Sequence, residues 1–320
     1  MATIAPRPAA QLQVVELCHV RPKELKSLWE REIRTWREAL DWDVSGAMGA
    51  LQRAVARGGI NGRAVRYNGR IIAYGYYVVE GDRGVLSGLV VTPSPQSATV
   101  GRALVKSILL ELERRGVRRI ESQFICFDAP WLAACFEEHG FKSFWREFLR
   151  VPVSPRPVAT ATTDGVVILP WTAWNMSEMA SLMMQSHRGG IDAHMNELYR
   201  TSDGCRILLN NIIRQRGCGN SVAEASSIAR TKDTDVAAGF AIVTEIAPRH
   251  GHLAQVAVAP VSQGRGVGRR LLAHSLTRLH ALGLTRLSLM VSSGNEPARS
   301  LYRSVGFKPV YRFPVFNRET

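Results

Sequence analysis

The sequence predicts an α/β chain built as two similar domains in tandem, each a mixed β-sheet flanked by helices. Three observations predict it. The length of 320 residues suits two domains of about 150 residues each. An internal match keeps one register across the two halves. Strand-like and helix-like apolar periods alternate along the chain, the pattern of helices laid on a sheet.

The repeat is the firmest of these. VVTPSPQSATVGRAL (90–104) aligns without gaps on AVAPVSQGRGVGRRL (257–271), an offset of 167. Gly116 aligns with Gly283 at the same offset, and HGFK (139–142) aligns with VGFK (305–308) at an offset of 166. VPVSPRPVATATTDG (151–165), with three prolines, reads as a linker. The expected organisation is therefore 1–150, a linker over 151–165, and 166–320.

In the second half each element has a local reason. Val166–Leu169 is a short strand. Trp174–Ser186 is helical, and Ser202–Arg216 is a second helix with a Ser or Asp cap. Ser226–Thr231 and Val236–Ile246 form a hairpin turned at KDTD. His252–Ala259 is a strand. Leu271, Leu272, Ser275, Leu276, Leu279 and Leu282 recur at helical spacing, and Gly283 ends that helix as a left-handed cap. Leu287–Val291 is a strand, Pro297–Ser304 a short helix and Val310–Phe316 a last strand. In the first half, Trp29, Trp36 and Trp42 stand near helical spacing and are expected in core or interdomain packing.

Composition narrows the class. Apolar content of 46% and charged content of 21% describe a globular protein. No apolar run approaches the roughly 20 residues that span a bilayer. MATIAPRPAA lacks the apolar centre of a signal peptide, so a cytoplasmic protein without a membrane partner is expected; a bacterial source is expected as well. The five cysteines include no C-x-x-C pair, which points to reduced thiols and no metal site. The net charge of +14 favours anionic partners. Residues 1–160 carry 23 basic and 16 acidic side chains and residues 161–320 carry 18 and 11, so each half holds +7. That even spread, with no basic tail or aromatic RNA-binding motif, argues against nucleic acid as the partner. Monomer and homodimer both remain open.

QGRGVGRR (263–270) lies between the strand and the helix. The first turn of a helix leaves about four N–H groups unpaired and carries roughly half a positive charge, so it suits an anion such as pyrophosphate. Glycine lets phosphate oxygens approach the backbone, and Arg265, Arg269 and Arg270 add charge. The spacing is neither the G-x-G-x-x-G of a dinucleotide fold nor a P-loop.

The stretch VAVAPVSQGRGVGRRLL, followed by LMVSSGNEPARSLYRSVGF, resembles the GCN5-related N-acetyltransferase (GNAT) superfamily. The match covers its Q/R-x-x-G-x-G/A motif and its N-x-x-A-x-x-L-Y-x-x-x-G-F motif, about 65 residues closely, and the two-domain length resembles the tandem members. The resemblance implies two tandem GNAT folds with splayed sheets, and acetyl-CoA as co-substrate with no metal. The cofactor would lie where His252–Ala259 and Leu287–Val291 part. Val256, Ala257 and Val258 would bind the pantetheine arm through their backbone. The amides of Gln263, Gly264, Arg265, Gly266, Val267, Gly268 and Arg269 would hold the pyrophosphate. Asn295 would orient the cofactor near its thioester, and Arg299 joins the same binding set.

The implied reaction is acetyl transfer to a primary amine of a small molecule or peptide by direct attack. A non-catalytic acyl-CoA-binding sensor is the alternative. Such a transfer needs a base for the amine proton and an acid for the thiolate. Tyr302 matches the family's general acid. His252 and Glu245 are the two candidates for base. An imidazole near its ordinary pKa suits the role, and strand alternation places Gln255 on the face opposite His252. SHRGGIDAH (186–194) offers His187, Arg188, Asp192 and His194, either to a polar acceptor or to solvent.

The first half departs from the motifs. Ser97 or Ala98 stands near the position of Gly264, Thr99 at Gly266, Phe136 at Tyr302, and Asp128 or Ala129 at Asn295. It is expected to be a degenerate copy with a structural or substrate-shaping role, retaining weak CoA affinity through Gly101 and Arg102.

Overall fold

A computed structural model describes residues 12–127, 129–155, 158, 165–173, 175–214 and 218–319. The N-terminal MATIAPRPAA stretch, Asp128, Trp174, the end of the expected helix at 215–216 and most of the linker lie outside the described residues.

In chain order the first elements are β1 (Leu12–Glu16), α1 (Pro22–Leu40), α2 (Ser45–Ala56), β2 (Asn61–Tyr67), β3 (Arg70–Glu80) and β4 (Arg83–Val91). Then come α3 (Ser97–Arg114), β5 (Arg119–Gln123), α4 (Leu132–Glu138) and β6 (Lys142–Pro152). The repeat of this plan runs β7 (Val166–Pro170), α5 (Met176–His187), α6 (Ile191–Met195), α7 (Ser202–Ile213), β8 (Asn220–Ser221), β9 (Ser227–Thr231), β10 (Ala237–Ala247) and β11 (His250–Val258). It ends with α8 (Val267–Ala281), β12 (Arg286–Ser292), α9 (Glu296–Val305) and β13 (Lys308–Glu319).

The chain divides into two compact units, and the division differs from a cut at residue 150. The described residues of the first unit are 12–38, 44–143 and 313–319; the second comprises Ala39–Asp43 and Phe144–Arg312. The reason lies in strand pairing. Residues 146–152 of β6 run antiparallel to β12, inside the second unit. Residues 315–319 of β13 run antiparallel to β5, inside the first. The strand that closes each sheet thus comes from the other half of the sequence, which a linear repeat does not reveal.

In the first unit β1, β2, β3 and β4 are antiparallel neighbours, and β4 pairs parallel to β5 from Arg83↔Arg119 to Leu86↔Ser122. One face of this sheet buries Leu104, Ile108 and Leu112 of α3 with Phe136 and Phe316. The other buries Leu25, Trp29, Met48 and Tyr74.

In the second unit β7, β9, β10 and β11 are antiparallel neighbours, and β11 pairs parallel to β12. Leu271, Leu272 and Leu279 of α8 cover one face, together with Leu253, Leu287 and Leu289. Met179 and Met183 of α5 and Leu209 of α7 cover the other, with Phe240, Ile242 and Ala257. Each element expected for this half is present within a few residues of its expected bounds. Gly283 takes the left-handed conformation (φ 77°) just beyond α8, as the cap requires.

Candidate active site

Two irregularities make the site. The first is the end of a ladder. β11 pairs with β12 from His250↔Arg286 to Leu253↔Leu289, and there the pairing stops. Beyond it β11 keeps only β10, while Met290, Val291 and Ser292 keep only β6. The second is a β-bulge. Ile242 opposes Gln255 and Val243 opposes Leu253, so Ala254 is extra. The first unit repeats both: its parallel pairing ends at Leu86, 167 residues before Leu253, and Tyr76↔Gly88 followed by Tyr77↔Leu86 leaves Ser87 extra.

The bulge corrects one expectation. His252 and Gln255 lie on the same face of the sheet. Leu253 packs with the α8 cluster and Ala254 with the α5–α7 cluster, so alternation is offset by one residue past Leu253. The Gln255 amide accordingly reaches His187 at the end of α5 and Tyr199 in the single-turn segment Glu197–Arg200.

Gln255 sorts the local protons. Its Nε2 can only donate, so His187 Nε2 accepts, at 3.1 Å. The proton of neutral His187 is then on Nδ1, 3.8 Å from the Asp192 carboxylate. The Tyr199 hydroxyl donates to Gln255 Oε1 at 3.3 Å. Asp192 also accepts from Ser292 Oγ (2.5 Å) and Asn295 Nδ2 (3.4 Å). The 186–194 stretch is therefore half inward and half solvated. His187 and Asp192 turn in, with side chains only 15% and 13% exposed, while Arg188 and His194 are exposed.

The glycine loop has the expected shape, with the glycines dividing the work. Gly264 (φ 73°) and Gly266 (φ 81°) are left-handed, and Gly266 caps α8 at its N-terminus. Gly268 serves close packing: a Cβ there would lie 3.0 Å from Leu301 Cδ2. Gln263 Nε2 donates to Val258 O (3.1 Å) and Gln255 Nε2 to Val256 O (3.2 Å), so side chains serve these two carbonyls. Arg269 Nη1 donates to Ser304 Oγ (2.8 Å) and Arg270 Nη1 to Val166 O (2.8 Å). Arg299 pairs with Glu147 (3.0 Å) and Glu296 (2.8 Å), which fixes it to β6 and to the first turn of its own helix. Val267 is buried and Arg265 exposed.

Asn295 caps α9, its Oδ1 accepting from Ala298 N at 3.2 Å. That cap sets the start of the helix that carries Tyr302. Tyr302 is buried, edge-on to Phe307 at 5.7 Å. Burial, then the charge of Asp192, pushes its hydroxyl well above the ordinary tyrosine range, so it keeps its proton.

The structure separates the two candidate bases. His252 lies on the α5–α7 face, its ring centroid 4.9 Å from Trp42 and 5.9 Å from Phe148. It is not the near-neutral imidazole expected from the sequence. Burial, the neighbouring His250 and the charge of Arg146 push its pKa down to about 3. Glu245 is elsewhere. It follows Thr244, the cross-strand partner of His252, and so points to the opposite face; its carboxylate accepts Arg249 N at 3.0 Å across the β10–β11 turn.

Sequence reasoning missed Asp41, Arg146, Tyr199, Ser288 and Ser292. Asp41 and Trp42 belong to the second unit although they stand far from it in sequence. No local pattern marks such long-range placement.

In the first unit the loop before α3 contains no glycine, and its backbone has no left-handed residue. A Cβ on Gly101 would lie 2.1 Å from the Trp131 ring, and Arg102 is paired with Glu138. Gly101 and Arg102, expected to retain weak CoA affinity, are thus taken up by an indole and a carboxylate. Among the described residues no helix is long and apolar enough to cross a membrane.

A parallel pair parted at a bulge is thus followed by a left-handed glycine turn into a helix. The family profile described as Acetyltransferase (GNAT) family matches residues 23–141 and 197–307, and the chain belongs to that family. It is 40% identical over 70 residues to a mycothiol acetyltransferase of Pseudarthrobacter chlorophenolicus, covering 20% of this chain and 22% of that protein. It is 38% identical over 89 residues to the [ribosomal protein bS18]-alanine N-acetyltransferase of Salmonella typhimurium, covering 28% of this chain and 59% of that one. The matches thus span about a fifth to three-fifths of these relatives' lengths. Among solved structures, a GCN5-related N-acetyltransferase from Sphaerobacter thermophilus shares the fold with a TM-score of 0.68 at 16% identity, covering 96% of this chain and 95% of that one. A tandem GNAT protein from the clavulanic acid biosynthesis pathway does so with a TM-score of 0.57 at 14% identity, over 97% and 98% of the two chains.

Proposed function

We propose that the second unit is an acetyl-CoA-dependent N-acetyltransferase acting on a primary amine of a small molecule or a peptide N-terminus. The observation that carries this reading is the parting of β11 from β12 directly before the left-handed Gly264–Gly266 turn into α8. The strand edge offers backbone groups to a pantetheine arm, and the helix start offers amides to a pyrophosphate. Val256, Ala257 and Val258 with residues 263–269 are the proposed binding set. Asn295 and Arg299 shape it through the α9 cap and the Glu147 pair. Acetyl-CoA, when bound, supplies the activated acetyl group.

Tyr302 is proposed as the acid, because it stands at the motif position of the family's general acid and its buried hydroxyl keeps its proton. His252 is proposed as the base through Nε2, which makes no hydrogen bond to the described residues. Glu245 is not preferred, since it caps a turn on the far face.

Release of CoA from acetyl-CoA, with polyamines, amino sugars and alanyl peptides as acceptors, tests the reading; the alanyl peptides are suggested by the bS18-alanine relative. Tight acetyl-CoA binding without CoA release on any acceptor would instead favour the acyl-CoA sensor. Absence of acetyl-CoA binding would end both readings. Tyr302→Phe should lower kcat by roughly 10²–10⁴ and leave acetyl-CoA affinity nearly unchanged. Full activity in that variant removes the acid assignment.

A further inference from the structure

A base whose conjugate acid is unstable needs somewhere to send its proton. Behind His252 runs an unbroken line of hydrogen bonds. His252 Nδ1 lies 3.0 Å from Ser288 Oγ, and Ser288 Oγ lies 3.0 Å from His250 Nε2. His250 Nδ1 lies 3.0 Å from the Asp41 carbonyl and 3.1 Å from its carboxylate. Ser288 and both histidines are buried, whereas the Asp41 side chain is 35% exposed.

The chemistry of the end group fixes every proton. Both Asp41 oxygens can only accept, so His250 carries its proton on Nδ1 and has a lone pair on Nε2. The Ser288 hydroxyl donates to that lone pair; its alternative acceptor, the Gly251 carbonyl, is farther away at 3.3 Å. The serine oxygen then accepts from His252 Nδ1–H. His252 is therefore held as the tautomer whose Nε2 is free to take a proton.

We infer that Ser288, His250 and Asp41 form a proton relay behind His252 that carries the amine proton out of the site. The inference rests on the reading of His252 as the base. When Nε2 accepts the amine proton, Nδ1 passes its own to Ser288 Oγ, and the serine passes its proton to His250 Nε2. One proton enters and the positive charge ends on His250, against the Asp41 carboxylate; no bond is oxidised or reduced. Loss of the His250 Nδ1 proton to water through Asp41 completes the export and leaves both imidazoles as Nε2–H tautomers. The chain resets after product leaves, when His250 Nδ1 takes a proton back at Asp41, the hops run in reverse and His252 Nε2 gives its proton to water in the emptied site. The sink is built to be held in place. Arg286 also pairs with Asp41, and Asp43 N donates to Ile246 O at 2.9 Å, tying the Ala39–Asp43 segment to the end of β10.

Other charges facing the relay oppose it. Burial first, then Arg286 and Arg150, disfavour a proton on His250, against the pull of Asp41, and burial, His250 and Arg146 disfavour one on His252. From β6 and the Ala39–Asp43 segment the remaining neighbours, Phe148 and Trp42, are uncharged aromatics. Among the described residues Asp41 is thus the one carboxylate bonded to the relay, and Ser288, His250 and Asp41 act as positioning residues.

Two measurements on the full chain test this. Nitrogen NMR of the imidazoles should show both His250 and His252 protonated on Nδ1; an Nε2–H tautomer at His252 overturns the relay. Single-turnover acetyl transfer to the best acceptor of the panel should depend on the deuterium fraction of the solvent along a curve, because several protons move together. Ser288→Ala and Asp41→Asn should each slow it roughly 10- to 100-fold, a fraction of the range for a general base, and straighten the curve. Ser288→Thr, which restores a hydroxyl, should recover most of the loss. Asp41→Asn is partly exposed and keeps the test available if Ser288→Ala does not fold. If His252→Gln is inactive while both relay variants keep the wild-type rate, the relay is wrong and the base reading stands. If His252→Gln is fully active, the base reading fails and takes the relay with it.

Discussion

The indole of Trp42 lies 4.9 Å, centroid to centroid, from the imidazole of His252, tilted by 47°. It is one of the rings that keep water from that histidine. Trp42→Ala should therefore let water in, and the His252 pKa should climb from about 3 toward its ordinary 6.5, as a proton-NMR titration would show. The same change should cost about 3–5 kcal/mol of stability, the usual range for a buried tryptophan. Trp42→Phe should give a smaller change in both. An unmoved titration in Trp42→Ala would mean that the ring does not set the histidine's environment.

Stability should fall on acidification. His252 has a folded-state pKa below its unfolded one, so between pH 6.5 and about 3 the unfolded chain binds more protons. The stability from keeping it neutral is complete above pH 6.5 and is lost as pH falls toward 3, by at most about 1.4 kcal/mol per unit. His187, His250 and His274 are also lowered by burial and act in the same direction. Denaturant midpoints at pH 7 and pH 4.5 should converge in His252→Gln relative to wild type.

Gly266→Glu should abolish acetyl-CoA binding. At φ 81° any side chain strains the turn, and a carboxylate there opposes an anion. Gly266→Ala should lose part of the affinity through strain alone, by about 1–2 kcal/mol. Calorimetry with undiminished binding in the glutamate variant would put the nucleotide elsewhere.

Phe316→Ala should unfold the first unit before the second. Phe316 is fully buried and stacks on Phe136 at 4.3 Å, with an interplanar angle of 10°. Its loss should cost about 3–5 kcal/mol. Hydrogen exchange should show amides of β5 and α4 losing protection while those of β10 keep theirs. Equal loss in both units would argue against this assignment.

Much of this molecule is legible one residue at a time. Gly264, Gly266 and Gly283 announce turns because only glycine takes those angles cheaply. Leu271 to Leu282 announce a helix by their spacing. Asn295 and Tyr302 stand out because the repeat of the chain lacks them. What is not legible depends on partners. The extra residue at Ala254 leaves the β11 sequence looking like ordinary alternation, so Gln255 is assigned to the wrong face. Glu245 looks like a base until the Arg249 amide is seen to occupy it. The low pKa of His252 follows first from burial, to which Trp42 and Phe148 contribute, then from His250 and Arg146; of these only His250 is near it in sequence.

The borrowed closing strands bear on synthesis. Domains generally fold in order as they leave the ribosome. Here the first unit waits for residues 313–319, the last described residues to be translated. Until they emerge, β5 has a bare edge and Phe136 lacks its stacking partner. The second unit's borrowed segments, 39–43 and 144–152, are made before the rest of its sheet, but its own last residue, Arg312, is made only just ahead of 313–319. The first unit is therefore expected to close no earlier than the second, although most of its sequence is translated first.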